Sequence, residues 1–387
     1  MLLFGLLLQA NAADWQDTLK EAKGQSVYFH AWGGDENINA YIQWAIDQVK
    51  EKYDVEVKHV KNVAPNAITQ ILSEKSAGKD SGGAVDLMWV NGENFANMKR
   101  NNLLYGAFTQ DLPNYQYVDT EHKPTTLYDF TVPVENLEAP WGMAQLVFLH
   151  DTDVVKKAPS SAAELLEFAH KNPGRFTYPA PPAFHGTTFI KQILLELTDD
   201  RDALYKPVQD ADFDKITKPL WIYLDELHPL MWQKGKVFTD GAPRMTQLLN
   251  DGEIAISLSF NPFAASNAIA TGELPDTVRT HIHASGTIAN THFVAIPYNS
   301  SSVEGAMVFA NFLMSPEAQA RKANTDIWGD PTVLAMDKLS AQDRARFDDL
   351  PKGVATLSNE ELANVLLEPH ASWVEALEAE WLKRYGQ

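Results

Sequence analysis

The chain contains no cysteine among its 387 residues. That excludes disulfides, thiol nucleophiles and every metal site built on thiolate. The compartment stays open, because a secreted protein of this size folds without disulfides. Basic residues are scarce as well: 32 against 51 acidic, a net charge of −19. A nucleic-acid partner wants a basic stripe, so that class is disfavoured. After the N-terminus no stretch reaches the ~18 charge-free apolar residues of a membrane-crossing helix. The usual catalytic signatures are missing too. There is no G-x-S-x-G, H-E-x-x-H, G-x-G-x-x-G or P-loop, and Gly78-Lys79-Asp80 lacks the rest of one. Internal repeats and low-complexity segments are absent.

What is present is ordinary folded-protein material. Hydrophobic residues make up 45% and charged residues 21%, enough apolar content to exclude disorder. The length suggests two or three domains. Met1 to Leu8 is an apolar run followed by Gln9-Ala10-Asn11-Ala12. Ala10 and Ala12 are the small residues of a signal-peptidase site, so residues 1–12 read as a signal peptide and Ala13 as the mature start. The run is too short to span a bilayer; a buried N-terminal helix is the other reading.

Strands and helices then alternate. Ser26 to Trp32 reads as a buried strand, Gly33-Gly34 breaks it, and Ile38, Ile42, Ala45, Ile46 and Val49 recur at helical spacing. Val55, Val57 and His59 alternate as a second strand, and Val85 to Val90 is a third. Further strands fall at Leu146 to His150, Arg175 to Tyr178, Ile254 to Phe260 and Ser285 to Ile296. This pattern predicts α/β architecture with mostly parallel sheets flanked by helices. In such sheets ligands bind beyond the carboxyl ends of the strands, and unusual residues stand there. They are Trp32-Gly33-Gly34, Asn91-Gly92-Glu93-Asn94, Pro179 to Thr188, and Phe260-Asn261-Pro262.

Each candidate has two readings. Trp32, Trp141, Tyr178, Phe184, Phe260 and Trp328 offer aromatic faces for a flat heterocycle, a sugar or an organic cation; otherwise they are core. Gly33, Gly34 and Gly142 beside two of the tryptophans keep backbone access open. Asp35, Glu93 and Asp330 would face a cationic guest, or Asp35 is a helix cap and Glu93 a first-turn acid. His185-Gly186-Thr187-Thr188 at a helix start is an oxyanion seat or a plain cap. Asn91, Asn94 and Asn261 complete the polar set. His281, His283 and His292 lack a carboxylate at ligand spacing, so no metal site is assigned. No catalytic residue and no cofactor is assigned either.

Four stretches in this order resemble one family: Trp32-Gly33-Gly34 after the first strand, Val85 to Phe95, Ala139-Pro140-Trp141-Gly142, and Ala306 to Gln319 with its Ser315-Pro316-Glu317-Ala318-Gln319 ending. The resemblance covers nearly the whole mature chain. It is to the type II periplasmic solute-binding proteins of ABC importers (extracellular solute-binding family 1), near the thiamine and polyamine binders. It implies a two-lobed periplasmic-binding-protein-like II fold, each lobe a mostly parallel sheet flanked by helices, with the ligand cleft between lobes. Lobe 1 would be 25–140 plus 290–387, its C-terminal helices packing on either lobe, and lobe 2 would be 141–289. The implied protein is a periplasmic monomer that captures a small solute by hinge closure and delivers it to an ABC permease in the inner membrane. A thiamine-like compound, a polyamine or a small organic phosphate would be the ligand. The resemblance also turns the Gly186 helix toward that cleft. Paired adjacent tyrosines, typical of ferric-ion binders in this superfamily, are absent, so iron is not expected. A secreted acidic hydrolase is the alternative; the many acids permit a glycosidase pair whose separation the sequence does not give.

Overall fold

The structure is a computed structural model describing residues 15–386, except positions 349 and 352. Residues 1–12, read above as a signal peptide, lie outside the described residues. The chain divides into two packed units. Unit 1 runs up to Met143 and resumes over Thr291–Leu350; unit 2 holds Ala144–Asn290 and the chain from Pro351 on. Lobe 2, expected to open at residue 141, opens at Ala144, with Trp141 to Met143 in unit 1; the C-terminal helices, expected on either lobe, join unit 2. The reason is burial: Trp373, Leu377 and Trp381 of the helix Ser372–Tyr385 belong to the core of unit 2.

Unit 1 is built on three parallel strands, β1 (Ser26–Ala31), β2 (Glu56–Lys61) and β3 (Leu87–Val90), in the order β2-β1-β3. Val27 and Phe29 point into the core while Tyr28 faces out. The crossover from β1 to β2 is the helix Glu36–Tyr53, which buries Ile38, Tyr41, Ile42, Ala45, Ile46 and Val49 on one stripe. Its start is fixed by Asp35, whose carboxylate accepts from the N–H groups of Asn37 and Ile38 at 2.8 and 3.0 Å. The helix Ala64–Ser76 leads from β2 toward β3. Fully buried Asp86 locks the sheet. It accepts from the Tyr28 N–H, the Ser301 N–H and the hydroxyls of Ser300 and Ser301, all at 2.8–2.9 Å.

A short hairpin, β4 (Tyr128–Asp129) and β5 (Val132–Pro133), precedes β6 (Glu138–Gln145). In unit 2, β7 (Val147–Asp151), β8 (Ile256–Ser259) and β9 (Val278–His281) form a sheet ordered β8-β7-β9, antiparallel at both joints. A mostly parallel sheet was expected in each lobe. In unit 2 the expectation fails because alternation does not encode direction: a helix-bearing connection serves a parallel crossover and a long antiparallel return equally. β10 (Thr287–Ala295) pairs with β6, runs antiparallel to β3 at Phe293–Ala295, and pairs in parallel with β11 (Val365–Leu367) at Thr287–Ala289. The helix Phe184–Leu197 is buried at every position from Gly186 to Leu195, so it runs through the core of unit 2.

The Ser315-Pro316-Glu317-Ala318-Gln319 stretch has a local physical logic. The Ser315 hydroxyl caps the helix Pro316–Ala323 by accepting from the Ala318 N–H at 3.2 Å, with Pro316 in its first turn. Gln319 is fully buried. Its amide donates to the carbonyls of Trp141 (2.6 Å) and Leu313 (2.8 Å) and accepts from the Thr332 hydroxyl and the Val333 N–H.

Candidate functional site

Because β1 pairs in parallel with β2 and β3, three strand ends of unit 1 share one edge. Ala31 is level with Lys61, and His30 with Met88. Trp32 is 39% exposed at the end of β1. An ideal Cβ on Gly34 would lie 2.5 Å from the Trp32 ring, and one on Gly33 would lie 2.6 Å from Lys61 Cγ. Both glycines therefore let a side chain lie against the backbone. Asn39 Nδ2 donates to the Gly33 carbonyl at 3.0 Å and holds the loop. Trp32, Gly33, Lys61, Asn62, Val63 and Asn66 line an open depression of about 310 Å³.

The end of β3 is built differently. Gly92 has φ +59°, and its ideal Cβ would meet the Phe130 ring at 2.6 Å. Its N–H donates to buried Asp129 at 2.6 Å, and Asn94 Nδ2 donates to Glu93 at 2.9 Å. Asn91, Glu93 and Asn94 are half-buried. Glu138, fully buried, has its carboxyl pushed well above the ordinary value, first by burial and then by Asp129, with Lys99 opposing.

Trp141 and Trp328, expected to offer open faces, are 0% and 4% exposed. They sit in an aromatic cluster with Tyr41, Trp89 and His292; the Trp141 centroid is 4.9 Å from Trp89 and 5.4 Å from Trp328. Asp330, 2% exposed, pairs with fully buried Lys322 and accepts from His292 Nε2 at 3.1 Å. Burial draws Lys322 below its ordinary value while Asp330 works against the shift. An ideal Cβ on Gly142 would lie 2.2 Å from Asp330 Oδ2. Gly142 therefore makes room for this ion pair rather than for a guest.

In unit 2, Phe184 is 38% exposed and meets Phe260 edge to face at 5.0 Å and His185 at 5.7 Å. Burial pushes His185 down to about 4, so it is neutral at physiological pH. Asn261 Oδ1 accepts from the Phe263 N–H at 2.9 Å and shapes the turn after β8. The other candidates here are buried. Tyr178 donates to or accepts from His228 Nε2 at 2.7 Å and accepts from Trp381 Nε1 at 2.9 Å. Gly186 lies against the Pro179 carbonyl, which an ideal Cβ would approach to 2.0 Å. The Thr187 hydroxyl donates to Glu378 at 2.6 Å, Thr188 is fully buried, and the N–H groups of Gly186 and Thr187 both donate to the Ala183 carbonyl. The expected oxyanion seat is thus spent on internal bonds.

The structure brings Trp32, Gly33 and Gly34 together with four residues that sequence reasoning passed over: Lys61, Asn62, Val63 and Asn66. The signal was available. They follow β2, whose carboxyl end lies beside those of β1 and β3. The three histidines weighed as a metal cluster keep separate company. His281 contacts His150 at 2.9 Å, His283 contacts Glu196 at 2.6 Å, and His292 contacts Asp330. Among the described residues no group of three or more His, Cys, Asp or Glu is placed to hold a metal ion.

Two α/β units and a strand-end surface of aromatic face, amides and lysine are the equipment of a ligand-binding protein. The family model described as bacterial extracellular solute-binding protein matches residues 44–343, and the chain belongs to that family. It is 46% identical over 389 residues to Protein YnjB of Escherichia coli (strain K12), covering 99% of this chain and 98% of that one. Solved structures share its fold. The periplasmic binding protein AfuA from Actinobacillus pleuropneumoniae, with fructose-6-phosphate bound, matches with TM-score 0.65 at 16% identity, over 93% of this chain and 98% of that one. The spermidine/putrescine ABC transporter substrate-binding protein PotD from Streptococcus pneumoniae matches with TM-score 0.64 at 16% identity, over 93% and 98%. The chain is the solute-binding component of an ABC transporter: it binds a small solute and serves an ABC permease. Its relatives are transport proteins rather than enzymes. No helix among the described residues is long and apolar enough to cross a membrane.

Proposed function

We propose that the chain works in the periplasm, exported by the leader at residues 1–12, and captures its solute as a monomer. The strand ends of unit 1 around Trp32 supply the recognition surface. The observation that carries this reading is the half-exposed Trp32 indole, folded over Gly34 at the edge where three parallel strands end. A ring held in that way stacks on a planar guest with little further loss of freedom. The binding step makes and breaks no bond.

A thermal-shift screen of the purified chain against vitamins, polyamines, sugars and oxyanions tests the reading. A solute at 100 times its Kd stabilises the folded chain by about 2.7 kcal/mol. The hit should be recovered unaltered after incubation. Turnover of the hit with no stable complex would favour the secreted acidic hydrolase instead. N-terminal sequencing of the chain from a periplasmic extract checks the leader, with Ala13 expected first.

A further inference from the structure

The solute class follows from the unit 1 depression, and this step rests on the capture reading above. The geometry points to a planar solute bearing a carboxylate or phosphate, stacked on Trp32 with its charge toward Lys61 and the amides of Asn62 and Asn66. The chain as a whole carries 51 acidic and 32 basic residues, yet none of the six residues lining the depression is acidic and one is a lysine. The local sign is therefore opposite to the global one.

The donors share one edge. Lys61 is level with Ala31, one residue before Trp32, and its stem lies along Gly33. The Asn62 Oδ1 is occupied, accepting from the Val63 N–H at 2.9 Å and from Asn66 Nδ2 at 3.3 Å. The Asn62 Nδ2 meets His30 Nδ1 at 3.3 Å, so the amide nitrogens of Asn62 and Asn66 each keep one N–H beyond these bonds, and an ammonium only donates. Such a set matches an acceptor-only anion. The helix Ala64–Ser76 begins at the same place. Its N-cap, Val63, makes no side-chain cap bond, and its first turn holds no acid. The partial positive charge at that end is uncompensated by the helix's own side chains.

A cationic guest would need carboxylates, and the three acids considered for that role are engaged: Glu93 accepts from Asn94 Nδ2 at 2.9 Å. Asp35 caps the helix Glu36–Tyr53, and Asp330 is buried with Lys322 and His292. The depression, at about 310 Å³, suits one ring system and its substituent.

The test uses matched probes on the full chain by calorimetric titration: thiamine against thiamine monophosphate, and benzylamine against benzoate. Spermidine and fructose 6-phosphate serve as a non-planar cation and a non-planar anion. The anionic member of at least one planar pair should bind about tenfold more tightly than its cationic partner. Lys61→Met should bring that pair to near parity. Trp32→Ala should weaken the planar anion about tenfold while leaving fructose 6-phosphate nearly unchanged. Both side chains are exposed, so unliganded melting temperatures should not move. Tighter binding of the cationic partner, or a preference that survives Lys61→Met, overturns the inference. Binding of spermidine alone overturns it too but leaves the capture reading standing. Failure of every probe, in this set and in the wider screen, overturns the capture reading itself.

Discussion

Glu138 is a carboxyl group with its proton held by surroundings. It is fully buried on β6, and neither oxygen has a hydrogen-bond partner among the described residues. Burial and Asp129 raise its pKa well above 4.5. In the unfolded chain it ionises in the ordinary range, so folding takes up a proton. The stability present at low pH is then lost as pH rises from the ordinary carboxylate range toward the folded pKa. Glu138→Gln should match the native protein near pH 4 and exceed it at pH 7, since each pH unit between the two pKa values is worth about 1.4 kcal/mol. Urea melts at both pH values decide it; equal stability at pH 7 would place the proton elsewhere. Gly142 gives the complementary case. A methyl group there falls on Asp330, so Gly142→Ala should destabilise by about 1–3 kcal/mol through overpacking alone, read from the same melts.

Two helices, one in each unit, show what a buried polar contact does for docking. The helix Ser372–Tyr385 buries Trp373 and Trp381 and is bonded to the helix Phe184–Leu197 through Thr187 and Glu378. Burial raises Glu378, and Thr187 opposes the shift. Thr187→Val should lower stability by about 1–3 kcal/mol, because it strands a largely buried carboxyl. Solute affinity should stay unchanged; a large affinity loss would restore the oxyanion seat. In unit 1 the helix Pro316–Ala323 depends on Gln319, which satisfies four partners at once. Gln319→Leu leaves two carbonyls and a backbone N–H without that partner. Its cost should exceed that of an exposed helical substitution, for example Ala379→Gln, in a side-by-side thermal melt.

For the whole molecule, two packed units and a net charge of −19 set the expected behaviour. Like charges repel within each packed unit, and salt screens them over about 10 Å at 0.1 M. The unliganded chain should therefore melt higher at 0.3 M than at 0.02 M sodium chloride. Binding at the basic depression of unit 1 should show the opposite sign, weakening as salt rises. A salt response of one sign in both measurements would argue against a locally basic site on an acidic protein.

The amino-acid sequence alone specified the strands β1, β3 and β7, the helix after Asp35 and the order of segments that marks the family. Each rests on local chemistry: apolar periodicity, glycine breaks and caps within a few residues. It also put Trp32 beside two glycines at a strand end, which the structure keeps open. Burial was beyond it. Trp141 and Trp32 look alike in sequence, each next to glycine. One is sealed by Tyr41, Trp89 and Trp328, which come from distant segments, and the other is folded over its own loop. Asp330 read as a free acid because Lys322 and His292 reach it only through the fold. The direction of β8 and β9 and the placement of the C-terminal helix were likewise tertiary decisions. A strand's pairing direction and a helix's docking partner depend on which apolar faces remain to be covered, and those faces exist only once the chain has packed.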